Sequence, residues 1–317
     1  MYLARNNTPE ILIYLCGECN LRCQFCVDQA RYDDLCTPEG IMLRLAHFEN
    51  VLDYVDTTYV LDIVVFGGEI FQDKFGDEIF EAYDAFWAGM VEKLATRGID
   101  NYQFYSTTNL IYHKIDRMIN FCKKWNIFIR ASYDMIGRYK SDKVIPLFVA
   151  NLAKLKKAGI PILINFVAHK PNIEVIYNRL GSKFETWKYL YDNYDMCLGE
   201  YNDMNLPDFH TTEQEFGEFL KYLYDHYPKI TNVQNIVSGL IDGHTGVPYC
   251  AYNVVIDREI SWQCCDRNKT IRKMQTNRGC LTCRYYGVCY GTCPRIFNEG
   301  SYCHVRDLMQ YAESKLV

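Results

Sequence analysis

The stretch CGECNLRCQFC, residues 16–26, places four thiols (Cys16, Cys19, Cys23 and Cys26) within eleven residues, with the ring of Phe25 just before the last. It follows a short apolar, β-branched run at 11–15, so the cysteines leave a strand end as one loop. The chain has 317 residues and fifteen cysteines, with 49% apolar and 23% charged side chains and no low-complexity tract. That is the composition of a folded globular protein, long enough for one large α/β domain with a small appendage.

The opening residues MYLARNNTPEILIYLC lack the basic, apolar and small-residue succession of a secretory signal. No apolar run nears the roughly eighteen residues a membrane span requires. A cytoplasmic protein without a membrane partner is expected, and in that reducing compartment fifteen cysteines read as metal-binding or redox groups. A net charge of −5 lacks the basic footprint of a phosphate binder, which disfavours a nucleic-acid partner. The 26 tyrosines show no periodic clustering and read as core and pocket lining.

From residue 11 to about 200, β-branched runs alternate with stretches of helical period, the pattern of repeated βα units around a parallel sheet. Strands are expected at 11–15, 60–66, 103–106, 127–132, 161–167 and 196–198. Between them, apolar stripes recur every three or four residues: Leu45, Phe48, Leu52 and Val55, then Ile79, Tyr83, Phe86, Met90 and Leu94. Ile115, Met118, Cys122 and Trp125 form a third stripe, and Val144, Phe148, Leu152 and Leu155 a fourth. Thr212 followed by Glu215 reads as a capping box opening a helix that ends near Tyr227. The looser segment PKITNVQNIVSGLIDGHTGVP follows, so the first domain is expected over 1–228 and a cysteine-rich one over 229–317.

Cys19, Cys23 and Cys26 have the spacing C-x3-C-x2-C. Three thiolates on one loop can each take one iron of a cubane cluster, leaving the fourth iron open to a ligand. A zinc knuckle is the alternative, although structural zinc takes four protein ligands and favours C-x2-C pairs. Cys16 is either a fourth ligand or, from its place at the strand end, a core or barrel-mouth side chain.

The motif, with Phe25 before its last cysteine, resembles that of the radical S-adenosylmethionine superfamily. The resemblance implies an α/β fold, a partial (β/α)6 TIM-like barrel. It also implies a 4Fe-4S cluster on Cys19, Cys23 and Cys26, whose open iron binds S-adenosylmethionine. One electron, from a donor such as flavodoxin or ferredoxin, cleaves that cofactor to a 5′-deoxyadenosyl radical, which abstracts a hydrogen atom from substrate. Gly67, Gly68 and Glu69, in VVFGGEIF after the second strand, match the family's segment contacting the cofactor amine. Glycines let backbone approach closely, and a carboxylate accepts from an ammonium group. Thr108 and Asn109 in YSTTN, and Ser132 and Asp134 in RASYD, are carried over as cofactor-binding; capping of strand ends is the plainer reading of the same side chains.

The run Cys280-x2-Cys283-x5-Cys289-x3-Cys293, followed by Cys303, resembles the SPASM extension, which binds one or two auxiliary 4Fe-4S clusters. The resemblance assigns Cys280, Cys283, Cys289 and Cys303 to one cluster, and Cys250, Cys264 and Cys293 to the other. Glu259 stands where the family has glycine, and Cys265 beside Cys264 leaves that ligand choice open. A zinc ribbon is the structural alternative.

On the sixth strand, in YDMCLGEY, Cys197 is a candidate hydrogen-atom donor to a substrate radical, or else a small buried apolar residue. His169, Asp195 and Glu200 are candidate acid/base groups at strand ends. Cys122 belongs to a helix core, and Cys36 has no partner visible in sequence. SPASM-bearing relatives mostly modify ribosomally made peptides by cross-linking, epimerisation or oxidation, so a peptide is the leading substrate. The few residues before the first strand leave no room for a leader-binding winged helix, which raises the rival reading of a small-molecule oxidoreductase or epimerase acting on a sugar or aminocyclitol. A nucleoside or modified base is a third reading, which the net charge disfavours if a polymer must be held. A non-catalytic metal scaffold is the reading from another class, and the GGE segment speaks against it.

Overall fold

The computed structural model describes residues 10–26, 31, 33–52, 60–200, 206–231, 233–234, 253–256, 260–262 and 303–316. Six parallel strands form its centre: β1 (Glu10–Tyr14), β2 (Leu61–Phe66), β3 (Tyr102–Thr108), β4 (Ile127–Ser132), β5 (Ile162–Ala168) and β6 (Asp195–Glu200). They lie side by side in chain order, each reached from its predecessor by a helical crossover. The sheet ends on β6 at one side and does not close, the open α/β barrel the alternating pattern implies. All six expected strands are present, with ends displaced by one or two residues.

Alternation along each strand separates two faces. On β4, Ile127, Ile129 and Ala131 are buried in the helix-side core, whereas Phe128, Arg130 and Ser132 are half-buried on the lumen side. Helices α1 (Pro38–Leu52), α2 (Asp77–Thr96), α3 (Ile115–Trp125) and α4 (Ile145–Lys157) carry the four apolar stripes. Among the stripe residues, Val55 lies outside the described residues and Val144 falls in a 3-10 turn just before α4. α2 begins at Gly76 without a side-chain cap, so its buried face, including Phe86, Trp87 and Met90, holds it. Each such side chain contributes about 1.5–3 kcal/mol on burial. α3 stops at Asn126, whose left-handed backbone (φ 50°) turns the chain straight into β4.

Two helices between β5 and β6, α5 (Lys170–Asn178) and α6 (Gly181–Asn193), were not expected from the sequence. α7 (Glu213–His226) opens with both halves of the expected capping box: Thr212 Oγ1 accepts from Glu215 N–H at 3.2 Å, and Glu215 accepts from Thr212 N–H at 2.9 Å. Past residue 229, β7 (Asn253–Ile256) extends the sheet parallel to β1, and β8 (Ile260–Trp262) pairs antiparallel with β7. α8 (His304–Leu316) docks on α7, where Lys221 meets Asp307 and Tyr311 donates to Asp225 at 2.5 Å. Among the described residues, no helix is long and apolar enough to cross a membrane.

Candidate active site

The cysteine loop leaves β1 at the carboxyl edge of the sheet, where α/β barrels gather functional groups. Backbone contact fixes it there. Gly68 N–H donates to Cys16 O at 2.7 Å and Glu69 N–H to Glu18 O at 2.9 Å, so the loops after β1 and β2 lie directly against each other. A Cβ at Gly67 would stand 2.5 Å from Cys16 O, and one at Gly68 would stand 2.3 Å from the carbonyl oxygens of Gly17 and Glu18. Both glycines are therefore required by the cysteine loop itself. On the far side, Gly17 and Glu18 N–H both donate to Asp34 O, and the buried Arg44 of α1 holds the strand end through Tyr14 O at 3.2 Å.

Cys16 is fully buried and hydrogen-bonded to Cys36, whose sulfur is 3.3 Å from the Tyr83 hydroxyl. It thus takes the core alternative, and Cys36 gains the partners its sequence did not reveal. Cys122 is buried in the core as expected. The loop's other three thiols are half-buried Cys19 and Cys26 and buried Cys23, which packs with Phe25. A turn from Cys26 N–H to Cys23 O (3.2 Å) joins two of them, and Leu21 N–H donates to Cys19 Sγ at 3.4 Å. Burial pushes the Cys19 thiol up to about 12, with Glu69, Cys23 and Cys26 acting in the same direction. Metal loading therefore releases protons.

Among the described residues, no three His, Cys, Asp or Glu side chains converge on a point one ion could occupy. A cubane asks for a different arrangement, because each thiolate takes a different iron and the sulfurs stay apart. Three neighbouring, partly buried thiols on one loop, with the fourth drawn off to Cys36, fit that donor set and not a tetrahedral zinc site.

Glu69 is buried, with Oε1 accepting from Phe71 N–H (2.9 Å) and Oε2 from Asn109 N–H (2.6 Å). Burial raises its pKa to about 7 against these stabilising donors. Asn109 Nδ2 donates to Asn20 Oδ1 at 2.7 Å and lies 4.0 Å from Cys19 Sγ, so β3 steadies the loop between Cys19 and Cys23. Thr108 Oγ1 accepts from Leu110 N–H at 3.1 Å, and the same side chain hydrogen-bonds Glu69.

Phe25 wedges against His169 (ring centroids 4.8 Å apart) and Phe209 (5.8 Å). Gln24 N–H donates to Gly137 O at 2.7 Å, which ties the cysteine loop to the loop after β4. Gly137 has φ +78°, and a Cβ there would meet Phe209 at 2.8 Å. His169 is fully buried, its Nδ1 accepting from Asn172 N–H at 3.3 Å while Nε2 faces Ile136 O at 3.2 Å. Burial lowers its pKa to about 4, which favours the neutral imidazole, and both ring nitrogens face backbone partners. Asp195 opens β6 at the opposite end of the barrel, away from the cysteines. The side chain of Glu200 lies outside the described residues, as do Cys250, Cys264, Cys265, Cys280, Cys283, Cys289 and Cys293. Cys303 is buried at the start of α8, where its sulfur accepts from Arg306 N–H at 3.4 Å.

Asp134 is fully buried within a network that sequence reasoning missed. Its Oδ1 accepts from Val167 N–H (2.7 Å) and Asn172 Nδ2 (2.9 Å), and its Oδ2 pairs with Arg138 at 2.6 and 2.7 Å. Arg138 Nη1 continues to Cys23 Sγ at 3.8 Å. The four-residue spacing of Asp134 and Arg138 was the signal available in the sequence. Below this rim, Ser132, Asn165 and Cys197 stand in register on the lumen faces of β4, β5 and β6. The Cys197 thiol hydrogen-bonds to Asn165 Oδ1, and burial pushes its pKa up to about 12. Arg130 crosses the lumen to Glu10 at 2.9 Å, over the Tyr105 ring.

No family model and no curated protein matches the sequence. Solved structures do match. The anaerobic sulfatase maturase anSMEcpe, with bound S-adenosylmethionine and a peptide, superposes with a TM-score of 0.68 at 14% identity, over 97% of this chain and 98% of that one. Streptococcus suis SuiB bound to S-adenosylmethionine gives 0.57 at 17%, over 90% of this chain and 73% of that one. SuiB bound to its precursor peptide SuiA gives 0.58 at 17%, over 90% and 72%. These neighbours are radical S-adenosylmethionine enzymes with SPASM or twitch domains. The fold of the chain is theirs, the open (β/α)6 barrel.

Proposed function

We propose that the chain is a radical S-adenosylmethionine enzyme that abstracts a hydrogen atom from a peptide. The carrying observation is the loop of three neighbouring thiols, half-buried Cys19 and Cys26 and buried Cys23, at the carboxyl edge of an open parallel barrel, with Cys16 drawn into a separate buried pair with Cys36. Bound there, a 4Fe-4S cluster with one open iron and S-adenosylmethionine would supply, on one-electron reduction, the 5′-deoxyadenosyl radical. The reductant is a low-potential carrier of the flavodoxin or ferredoxin kind.

The chain's own groups position and select. Phe25, held by His169 and Phe209, sets the rim; Gly67 and Gly68 bring the β2 loop against the cysteines. Glu69 offers the carboxylate of the GGE segment for a cofactor amine, and Ser132 stands half-buried at the end of β4. Cys250, Cys264, Cys280, Cys283, Cys289, Cys293 and Cys303 of the tail would hold auxiliary clusters that accept an electron from the substrate. The peptide reading draws on anSMEcpe and SuiB, both solved with peptides bound.

An epimerase-like outcome is favoured by Cys197. Its sulfur points into the lumen and keeps its proton at neutral pH, so the S–H hydrogen is available to a carbon radical. The S–H bond breaks, a C–H bond forms, and the thiyl left behind would take one electron from the same low-potential carrier and one proton from solvent to return to the thiol. The test is anaerobic reconstitution with iron and sulfide, then turnover of candidate peptides in deuterated water with S-adenosylmethionine and dithionite. Formation of 5′-deoxyadenosine with deuterium gained, or two hydrogens lost, by a peptide supports the reading. 5′-Deoxyadenosine formed in response only to a sugar or nucleoside overturns the peptide.

A further inference from the structure

We propose that Arg138 is a positioning residue that sets the reduction potential of the cluster on Cys19, Cys23 and Cys26, by fixing a positive charge against the Cys23 sulfur with Asp134 as the opposing charge. The inference rests on the cluster reading above. Cluster potentials respond to net local charge, to hydrogen bonds at the sulfurs and to solvent exposure, and Arg138 bears on the first two through Cys23.

The guanidinium cannot lose its charge at any working pH. Nη1 lies 3.8 Å from Cys23 Sγ, within reach of a charge-assisted hydrogen bond to a thiolate. The side chains of Arg138 and Asp134 are 12% and 0% exposed, so water screens the charge little. The position is rigid as well. Asp134 is locked by Val167 N–H and by Asn172, whose own Oδ1 accepts from the N–H groups of Met135 and Ile136. The guanidinium also rests 5.4 Å from the Phe25 ring, and Gly137 O holds Gln24 N–H beside it.

Reduction of the cluster takes one electron from a low-potential donor and transfers no proton, so it adds one unit of negative charge beside Cys23. A fixed cation in contact with that sulfur favours the added charge, and the Asp134 carboxylate, paired with the same guanidinium, opposes it. Neutralising the two partners must therefore move the potential in opposite directions. A merely structural ion pair predicts the reverse: both substitutions break the same pair and disturb the same loop in the same way.

The experiment is an anaerobic redox titration of the reconstituted full chain, followed by the electron paramagnetic resonance signal that responds to S-adenosylmethionine. Arg138→Met is expected to lower the equilibrium constant for reduction about tenfold, about 59 mV for a one-electron couple. Arg138→Lys should stay close to the parent, and Asp134→Asn should shift upward. Equal potentials across the set, or shifts of one sign in Arg138→Met and Asp134→Asn, would overturn the inference. Should Arg138→Met fail to hold a cluster, Asp134→Asn decides alone: an upward shift supports the proposal, and no shift or a downward one ends it. A parent protein with no cluster, or none that responds to the cofactor, removes both the functional reading and this one, whereas a responsive cluster with an invariant potential removes only this one.

Discussion

The shelf that carries the cysteines and the lumen beneath it are built by opposite means. The shelf is a backbone structure: the loops after β1 and β2 touch through Cys16 O and Glu18 O, and Gly67 and Gly68 leave no space for a methyl group. Its side chains either bury apolar surface, as Phe25 does, or close on one another, as Asp134, Arg138 and Asn172 do. The lumen is a side-chain structure, where Ser132, Asn165 and Cys197 stand half-buried on strands whose backbone is already satisfied by the sheet. Changes on the shelf propagate through backbone contacts; changes in the lumen stay local.

The largest expected effect breaks the shelf. Cys23→Ala should abolish 5′-deoxyadenosine formation, measured by chromatography after reconstitution. Cys197→Ala tests the lumen: solvent deuterium in the product should disappear while 5′-deoxyadenosine still forms, and unchanged deuterium would remove Cys197 from the mechanism. Glu69 makes the shelf sensitive to pH. Its pKa is raised to about 7 by burial, so the folded state holds the proton more tightly than the unfolded chain does. Stability from this group is full below about pH 4.5 and is lost as pH rises through 7, on the order of 3 kcal/mol in all. Thermal melts of the metal-free protein between pH 5 and 8 should show that decline, and Glu69→Gln should flatten it. Gly68→Ala, with its Cβ 2.3 Å from two carbonyl oxygens, should cost about 1–3 kcal/mol in denaturant unfolding. The smallest effect lies far from both regions: Lys221→Ala at the α7–α8 contact should cost about 0.2–1 kcal/mol.

The barrel was legible because its signals are local. Alternation marks Ile127, Ile129 and Ala131, and helical period marks Ile79 through Leu94, irrespective of what packs on them. α5 and α6 were passed over although Phe184, Trp187 and Leu190 recur every three residues. The junction between those helices is marked late, since Arg179 (φ 50°) takes the left-handed position that ends α5 and the glycine, Gly181 (φ 53°), comes two residues on, where α6 starts. Spacing also identified the three cysteines and their glycines. Partners distant in sequence were invisible: Cys36 for Cys16 and Tyr83, Arg138 for Cys23, and Phe209 for Phe25. Such pairings depend on which loops meet at the rim, and one strand's pattern carries no record of its neighbours' loops.

The most direct test of the central claim, an iron left open at the cysteine shelf, is the electron paramagnetic resonance spectrum of the dithionite-reduced, reconstituted chain before and after addition of S-adenosylmethionine. A 4Fe-4S signal that changes on addition, and that Cys19→Ala removes, is the predicted result. A spectrum indifferent to the cofactor, or a protein that retains zinc and no iron at these cysteines, would contradict the account.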